Sequence, residues 1–158
     1  MPARKRPSDK VLQQYHAKCV SYVMTRDQVA KACGINASGV SKAWRRLGLP
    51  SVNVARAEYI AKLIPQILED TPDARDCEIC AALRGRGISL QEYSVARHRQ
   101  RLGIKTSFQR RVKAVQEISM AYPDFTSAEV HCVLEAEGYT ATLIQVDSIR
   151  DKLRQGLL

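Results

Sequence analysis

The chain is poor in aromatic side chains: Phe, Trp and Tyr make up 6% of its 158 residues, with a single Trp. Its cores must therefore be small and built from aliphatics and Ala. No apolar run approaches the roughly 20 residues that span a bilayer, so no membrane partner is expected. The opening segment MPARKRPSDK leads into no hydrophobic stretch, which gives a cytoplasmic protein as the expectation. Cysteine is scarce as well. Cys19, Cys33, Cys77, Cys80 and Cys132 are too few, and odd in number, for a disulfide scaffold. Cys77-x-x-Cys80 has half of a zinc-site spacing, but no second cysteine pair completes it, so no metal or cofactor is expected. Phosphate-cradling glycine loops, nucleophile elbows and metalloprotease motifs are missing too, and catalysis is not expected. With 45% apolar and 26% charged residues the chain is a folded one. Its length suits one ordinary domain or two or three very small ones, which excludes a large multi-lobed enzyme.

What the chain has is positive charge: 25 Lys and Arg against 16 Asp and Glu, net +9. The charge is segregated. Residues 1–50 carry net +8, residues 51–83 net −3, residues 84–113 net +8 and residues 114–158 net −4. Two basic blocks alternating with two acidic ones point to two separate surfaces facing a polyanion.

An internal repeat sets the architecture. Residues 72–102 lie over residues 123–153 without gaps. Pro72-Asp73 falls on Pro123-Asp124, Glu78-Ile79 on Glu129-Val130, Leu83 on Leu134 and Gly87 on Gly138. Beyond these, Val95 falls on Val146, Arg99 on Arg150 and Leu102 on Leu153. A third copy at the front aligns Val40, Leu47, Gly48 and Leu49 with Val95, Leu102, Gly103 and Ile104 after a shorter turn. The expected fold is all-α: three tandem tri-helical units spanning residues 1–50, 51–106 and 107–158.

Apolar residues recur at helical spacing in each unit. Ser8 is the expected N-cap of the first helix, Thr25-x-x-Gln28 a capping box for the second, and Asn36 or Ala37 the start of the third. In the second unit Pro65 is expected to kink or split the first helix. The next helix should follow Thr71-Pro72-Asp73, and Ser89-x-x-Glu92 should box the one after. In the third unit Thr126-x-x-Glu129 is a further box, and Thr140 should precede the last helix.

Residues 26–45, RDQVAKACGINASGVSKAWR, resemble the helix-turn-helix of phage Cro-type repressors and related bacterial regulators. Ala30 is small where the third helix crosses the second, Gly34 suits a left-handed turn, and Val29, Cys33, Ile35, Val40 and Ala43 or Trp44 form the expected apolar set. The resemblance implies that the third helix enters the major groove of duplex DNA, presenting Ala37, Ser38, Ser41, Lys42 and Arg45. It also implies that Thr25, Arg26 and Gln28 meet the DNA backbone. Arg4-Lys5-Arg6 is either a loose tail or an arm for a minor groove.

The second unit, LRGRGISLQEYSVARHRQRLGIK, resembles the paired-type helix-turn-helix of transposase and integrase DNA-binding regions, with a longer turn. By that likeness Gln91, Arg97 and Arg101 face the groove, while Arg84, Arg86, Lys105, Arg110 and Arg111 meet phosphates. His98 is expected to be a packing residue. The third unit keeps the apolar positions but exposes Glu135, Glu137, Asp147 and Asp151, which phosphate repels. Its expected partner is another protein or a second copy of the chain, as a homodimer.

Together these features give the expectation of a sequence-specific, nucleoid-associated transcriptional regulator, a repressor of phage, plasmid or mobile-element type, reading its site through residues 26–47. Two alternatives stand beside it. One is a recognition subunit for DNA packaging, replication or transposition; the other is a non-enzymatic protein-interaction adaptor or inhibitor.

Overall fold

A computed structural model describes residues 7–158, and among these every regular element is helical: α1 Asp9–Val20, α2 Arg26–Cys33, α3 Ala37–Arg46, α4 Val52–Asp70, α5 Asp76–Gly85, α6 Glu92–Arg101, α7 Ser107–Ala121, α8 Ser127–Ala136 and α9 Leu143–Arg154. The arm Arg4-Lys5-Arg6 lies outside the described residues. No helix of the described chain is long and apolar enough to cross a membrane.

Most helix starts are written in the side chains before them. Ser8 accepts from the Val11 amide at 3.4 Å and Asn36 from the Gly39 amide at 2.6 Å. Thr25 with Gln28 and Thr126 with Glu129 form reciprocal capping boxes. Thr106 with Gln109 forms another, which sequence reading missed.

Two expectations of the helix boundaries need correcting, at Pro65 and at Ser89. α4 runs unbroken through Pro65, because Ile60, Leu63, Ile64 and Ile67 bury both halves of it in one core. α5 starts at Asp76 behind Arg75, following Thr71-Pro72-Asp73 as expected, while Asp73 itself is engaged elsewhere. α6 starts behind Gln91 with no side-chain cap, so Ser89 and Glu92 form no box. Thr140 precedes α9 as expected, with its amide and hydroxyl turned to Asp73, and the cap is Thr142, boxed with Gln145.

The core is in three clusters, each drawn from three consecutive helices. Leu12, Cys19, Val29, Ala30, Val40 and Trp44 close the first around α1–α3. Ile60, Ile64, Ile79, Leu83 and Val95 anchor the second around α4–α6. Val115, Ile118, Val130, Leu134 and Val146 anchor the third around α7–α9. Ile35, expected in the first cluster, is 38% exposed: it follows the left-handed Gly34, and the turn carries its side chain outward.

The last helix of each group is pinned by one buried donor at the same aligned position. Trp44 Nε1 donates to the Leu12 carbonyl at 2.9 Å. Arg99, 5% exposed, donates to both Asp76 carboxylate oxygens at 2.9 and 3.2 Å and to the Ile104 carbonyl at 2.8 Å. Arg150 donates to the Phe125 carbonyl at 2.7 Å and to Ser127 Oγ at 3.2 Å.

Polar contacts also join consecutive groups. His16 Nε2 bonds the Pro50 carbonyl at 2.9 Å. Arg56 Nε donates to the Cys19 carbonyl at 2.9 Å, and its guanidinium lies 4.1 Å from the centre of the Tyr22 ring. Tyr22 has a φ of 62°, an unfavourable backbone for a bulky residue, and its ring packs on the second core.

Between the second and third groups the centre is Asp73, 3% exposed. It accepts from Arg111 at 2.7 and 3.2 Å and from the Thr140 amide at 3.2 Å. Arg110 donates alongside to the carbonyls of Pro72 at 2.7 Å, Ala74 at 2.6 Å, and Lys105. Gly138 fits here because a Cβ on it would lie 3.2 Å from Pro72 Cδ, and its φ of 85° suits glycine alone.

Asp73→Ala should therefore destabilise the protein by roughly 3 kcal/mol, because it leaves the Arg111 guanidinium without its carboxylate. Its repeat counterpart Asp124 is exposed. Asp124→Ala should change the unfolding free energy by less than about 0.5 kcal/mol. Urea denaturation of both variants measures the contrast.

Candidate functional site

α2, the turn Gly34-Ile35-Asn36 and α3 place the first group of candidate residues. Gly34 takes φ 65°, the left-handed conformation that ends α2 without a Cβ penalty. Val40 and Trp44 point inward at 0% and 4% exposure, which turns the opposite side of α3 to solvent. Ser38, Lys42 and Arg45 are exposed on α3, Ser41 is half-buried, and Ala37 is half-buried against the first core. The start of α2 meets this row, since Arg26 Nη1 lies 3.4 Å from Ser41 Oγ as donor. The Ser41 hydroxyl donates back to the Ala37 carbonyl at 3.2 Å.

Thr25 and Gln28 are exposed but already employed. The Thr25 hydroxyl accepts from the Gln28 amide at 3.2 Å, and Gln28 Oε1 accepts from the Thr25 amide at 2.8 Å. Their side chains shape the start of α2, and what they leave to a ligand is mainly the amide edge beside them. Arg46 pairs with Asp9 at 2.8 Å across an exposed surface.

The second group is on α6 and the turn before it. Gln91, Arg97 and Arg101 are exposed, as are Arg84, Arg86 and Lys105. Val95 and Arg99 hold the inner face. Arg110 and Arg111, expected to meet phosphates, are instead consumed by the Asp73 junction, because their neighbours there are carbonyls and a buried carboxylate. Burial lowers the pKa of His98, with Arg101 adding to the effect, and the side chain is half-buried.

Tyr93 was missed. It is 69% exposed one turn before Arg97, and the repeat alignment sets it on Ser38 and on Ile144, itself 81% exposed. One outward register position thus carries Ser on α3, Tyr on α6 and Ile on α9. Comparing the three copies at that position would have flagged it.

In the third group Glu135, Glu137, Asp147 and Asp151 are exposed, beside Leu143 and Ile144. Among the described residues no three His, Cys, Asp or Glu side chains gather in a way that could hold a metal. Cys77 is half-buried and Cys80 buried; burial raises the Cys80 thiol away from the thiolate a ligand requires, with Glu92 reinforcing it.

Arg56 was missed as well. It reaches from α4 into a cleft of about 590 Å³ whose walls include Thr25, Arg26, Ser41 and Arg45. Its place in the mildly acidic stretch of residues 51–83 gave no signal. No family model, no curated protein and no solved structure matches the chain. The chemistry of this surface is therefore argued from its own residues.

Because Ser38, Ser41 and Lys42 make no core contact that the fold relies on, alanine at any of them should shift the unfolding free energy by less than about 0.5 kcal/mol. Thr25→Ala should cost about 1 kcal/mol through the lost cap. Chemical denaturation separates the two classes, so that a binding loss in the first class can be assigned to the surface itself.

Proposed function

We propose that the protein is a sequence-specific duplex DNA-binding protein made of three tandem tri-helical units, and that it serves as a transcriptional repressor of phage, plasmid or mobile-element type. α2, the turn and α3 act as the helix-turn-helix of residues 26–47, with α3 in the major groove. Ser38 and Ser41 address base edges, Lys42 and Arg45 guanine or phosphate, and the Ala37 methyl a thymine. Thr25, Arg26 and Gln28 hold the DNA backbone beside them. α6 adds Gln91, Arg97 and Arg101 as a second reading element, flanked by Arg84, Arg86 and Lys105.

The observation that carries this reading is the row on α3: the helix is fixed inward by Val40 and the Trp44 hydrogen bond, so Ser38, Lys42 and Arg45 share its solvent side. A basic, polar row on a rigid helix is what groove reading requires, and at the matching positions α6 exposes Tyr93, Arg97 and Gln100. The third unit, acidic and with Leu143 and Ile144 exposed, serves protein contact, including self-association.

The test is selection of bound duplexes from a random pool at two salt concentrations. Wild type is compared with Ser41→Ala/Lys42→Ala and Arg97→Ala/Arg101→Ala. The expected result is a two-part site, with each double variant relaxing a different part, and a salt slope reduced by about one for each phosphate-contacting cation removed. A one-part site lost only with Ser41 and Lys42 would reduce α6 to a phosphate clamp or spacer. Enrichment of nothing, with binding that merely fades in salt, would overturn sequence-specific regulation in favour of a packaging subunit or a protein adaptor.

A further inference from the structure

We propose that the cleft at the junction of α2, α3 and α4 is a phosphate-binding site, with Arg56 as its inner residue. Three guanidiniums line it, Arg26, Arg45 and Arg56, and no carboxylate of the described residues does. Three like charges facing one concavity favour an anion there, which would offset their mutual repulsion. Its volume of about 590 Å³ falls in the range of small-ligand sites. Around the arginines the walls carry hydroxyls and an amide, from Ser41, Ser51 and Asn53, beside the apolar Trp44, Leu49 and Val52. Ser51 caps α4, so the positive end of a 19-residue helix opens on the same space.

Arg56 is held rather than loose. Its Nε donates to the Cys19 carbonyl at 2.9 Å and its guanidinium is 4.1 Å from the Tyr22 ring centre. That arrangement fixes the plane of the fork, the geometry in which arginine binds phosphate oxygens in pairs. Because α4 belongs to the next helix group, a phosphate here would clamp α1–α3 against α4.

A phosphate can come from the DNA backbone or from a free phosphorylated small molecule, and only the first source rests on the DNA-binding reading above. The sole tryptophan, Trp44, lines the cleft and reports on its occupancy. The full-length protein is titrated with inorganic pyrophosphate, with chloride at matched ionic strength, and with the duplex selected above, followed by Trp44 emission and calorimetry. Variants are Arg56→Gln, Arg56→Lys, Arg26→Gln and, as a remote control, Lys113→Gln.

Saturable pyrophosphate binding, absent with chloride and weakened about tenfold or more by Arg56→Gln and Arg26→Gln but not by Lys113→Gln, supports the site with a free ligand. Duplex binding alone, weakened to the same extent and partly restored by Arg56→Lys, supports it with the DNA backbone as source. Should Arg56→Gln fail to fold, the pyrophosphate affinity of Arg26→Gln, exposed and on another helix, decides for the free ligand, and the duplex affinity of Arg56→Lys decides for the backbone. If neither ligand's affinity responds to the Arg56 and Arg26 substitutions, or chloride matches pyrophosphate, the site is overturned. Duplex binding indifferent to Arg56, with no pyrophosphate bound, overturns the cleft and leaves the DNA reading standing. Pyrophosphate bound with no duplex binding does the reverse.

Discussion

The surface of this protein depends on three buried donors. Trp44, Arg99 and Arg150 each tie the last helix of a three-helix group to the loop or helix across from it, at Leu12, Asp76 and Phe125. Cores this small, with few aromatics, leave a ten- to twelve-residue helix free to roll about its axis. A directional hydrogen bond from an otherwise apolar face removes that freedom, and such a bond contributes about 0.5–1.5 kcal/mol net. With the inner face fixed, the outer one is fixed too. α3 then presents Ser38, Lys42 and Arg45, α6 presents Tyr93, Arg97 and Arg101, and α9 presents Ile144, Asp147 and Asp151.

The three outer faces differ where the inner ones agree. In the proposed reading this is how one plan serves two purposes: basic rows on α3 and α6 for a polyanion, and an acidic, apolar row on α9 for protein. The junctions matter for the same reason. Asp73, Arg110 and Arg111 bind the α4–α5 loop to α7 and to the turn before α9, so the second and third helix groups share a polar seam. At the other junction, Arg56 and Tyr22 join α4 to the α1–α2 turn.

Much of the local structure was legible because it depends on neighbours in sequence. Thr25 with Gln28, Thr126 with Glu129, Asn36 and the left-handed Gly34 each act within a few residues. Where reading failed, a distant partner had intervened. Asp73 and Thr140 gave no sign of a partnership, yet the two bond each other across 67 positions. Arg110 and Arg111 looked like phosphate ligands because nothing local distinguishes a buried arginine from an exposed one. Pro65 looked like a break because its ring says nothing of the apolar residues that hold α4 together on both sides. Candidate residues on α3 were found by resemblance, whereas Tyr93 and Arg56 required the three-dimensional arrangement or a closer comparison of the repeats.

The most direct test of the account is backbone amide shift mapping of the labelled protein on addition of its selected duplex. The account predicts large changes along α3 and α6 and at the start of α2, with α9 unaffected. Changes concentrated on α9, or none on either α3 or α6, would contradict it.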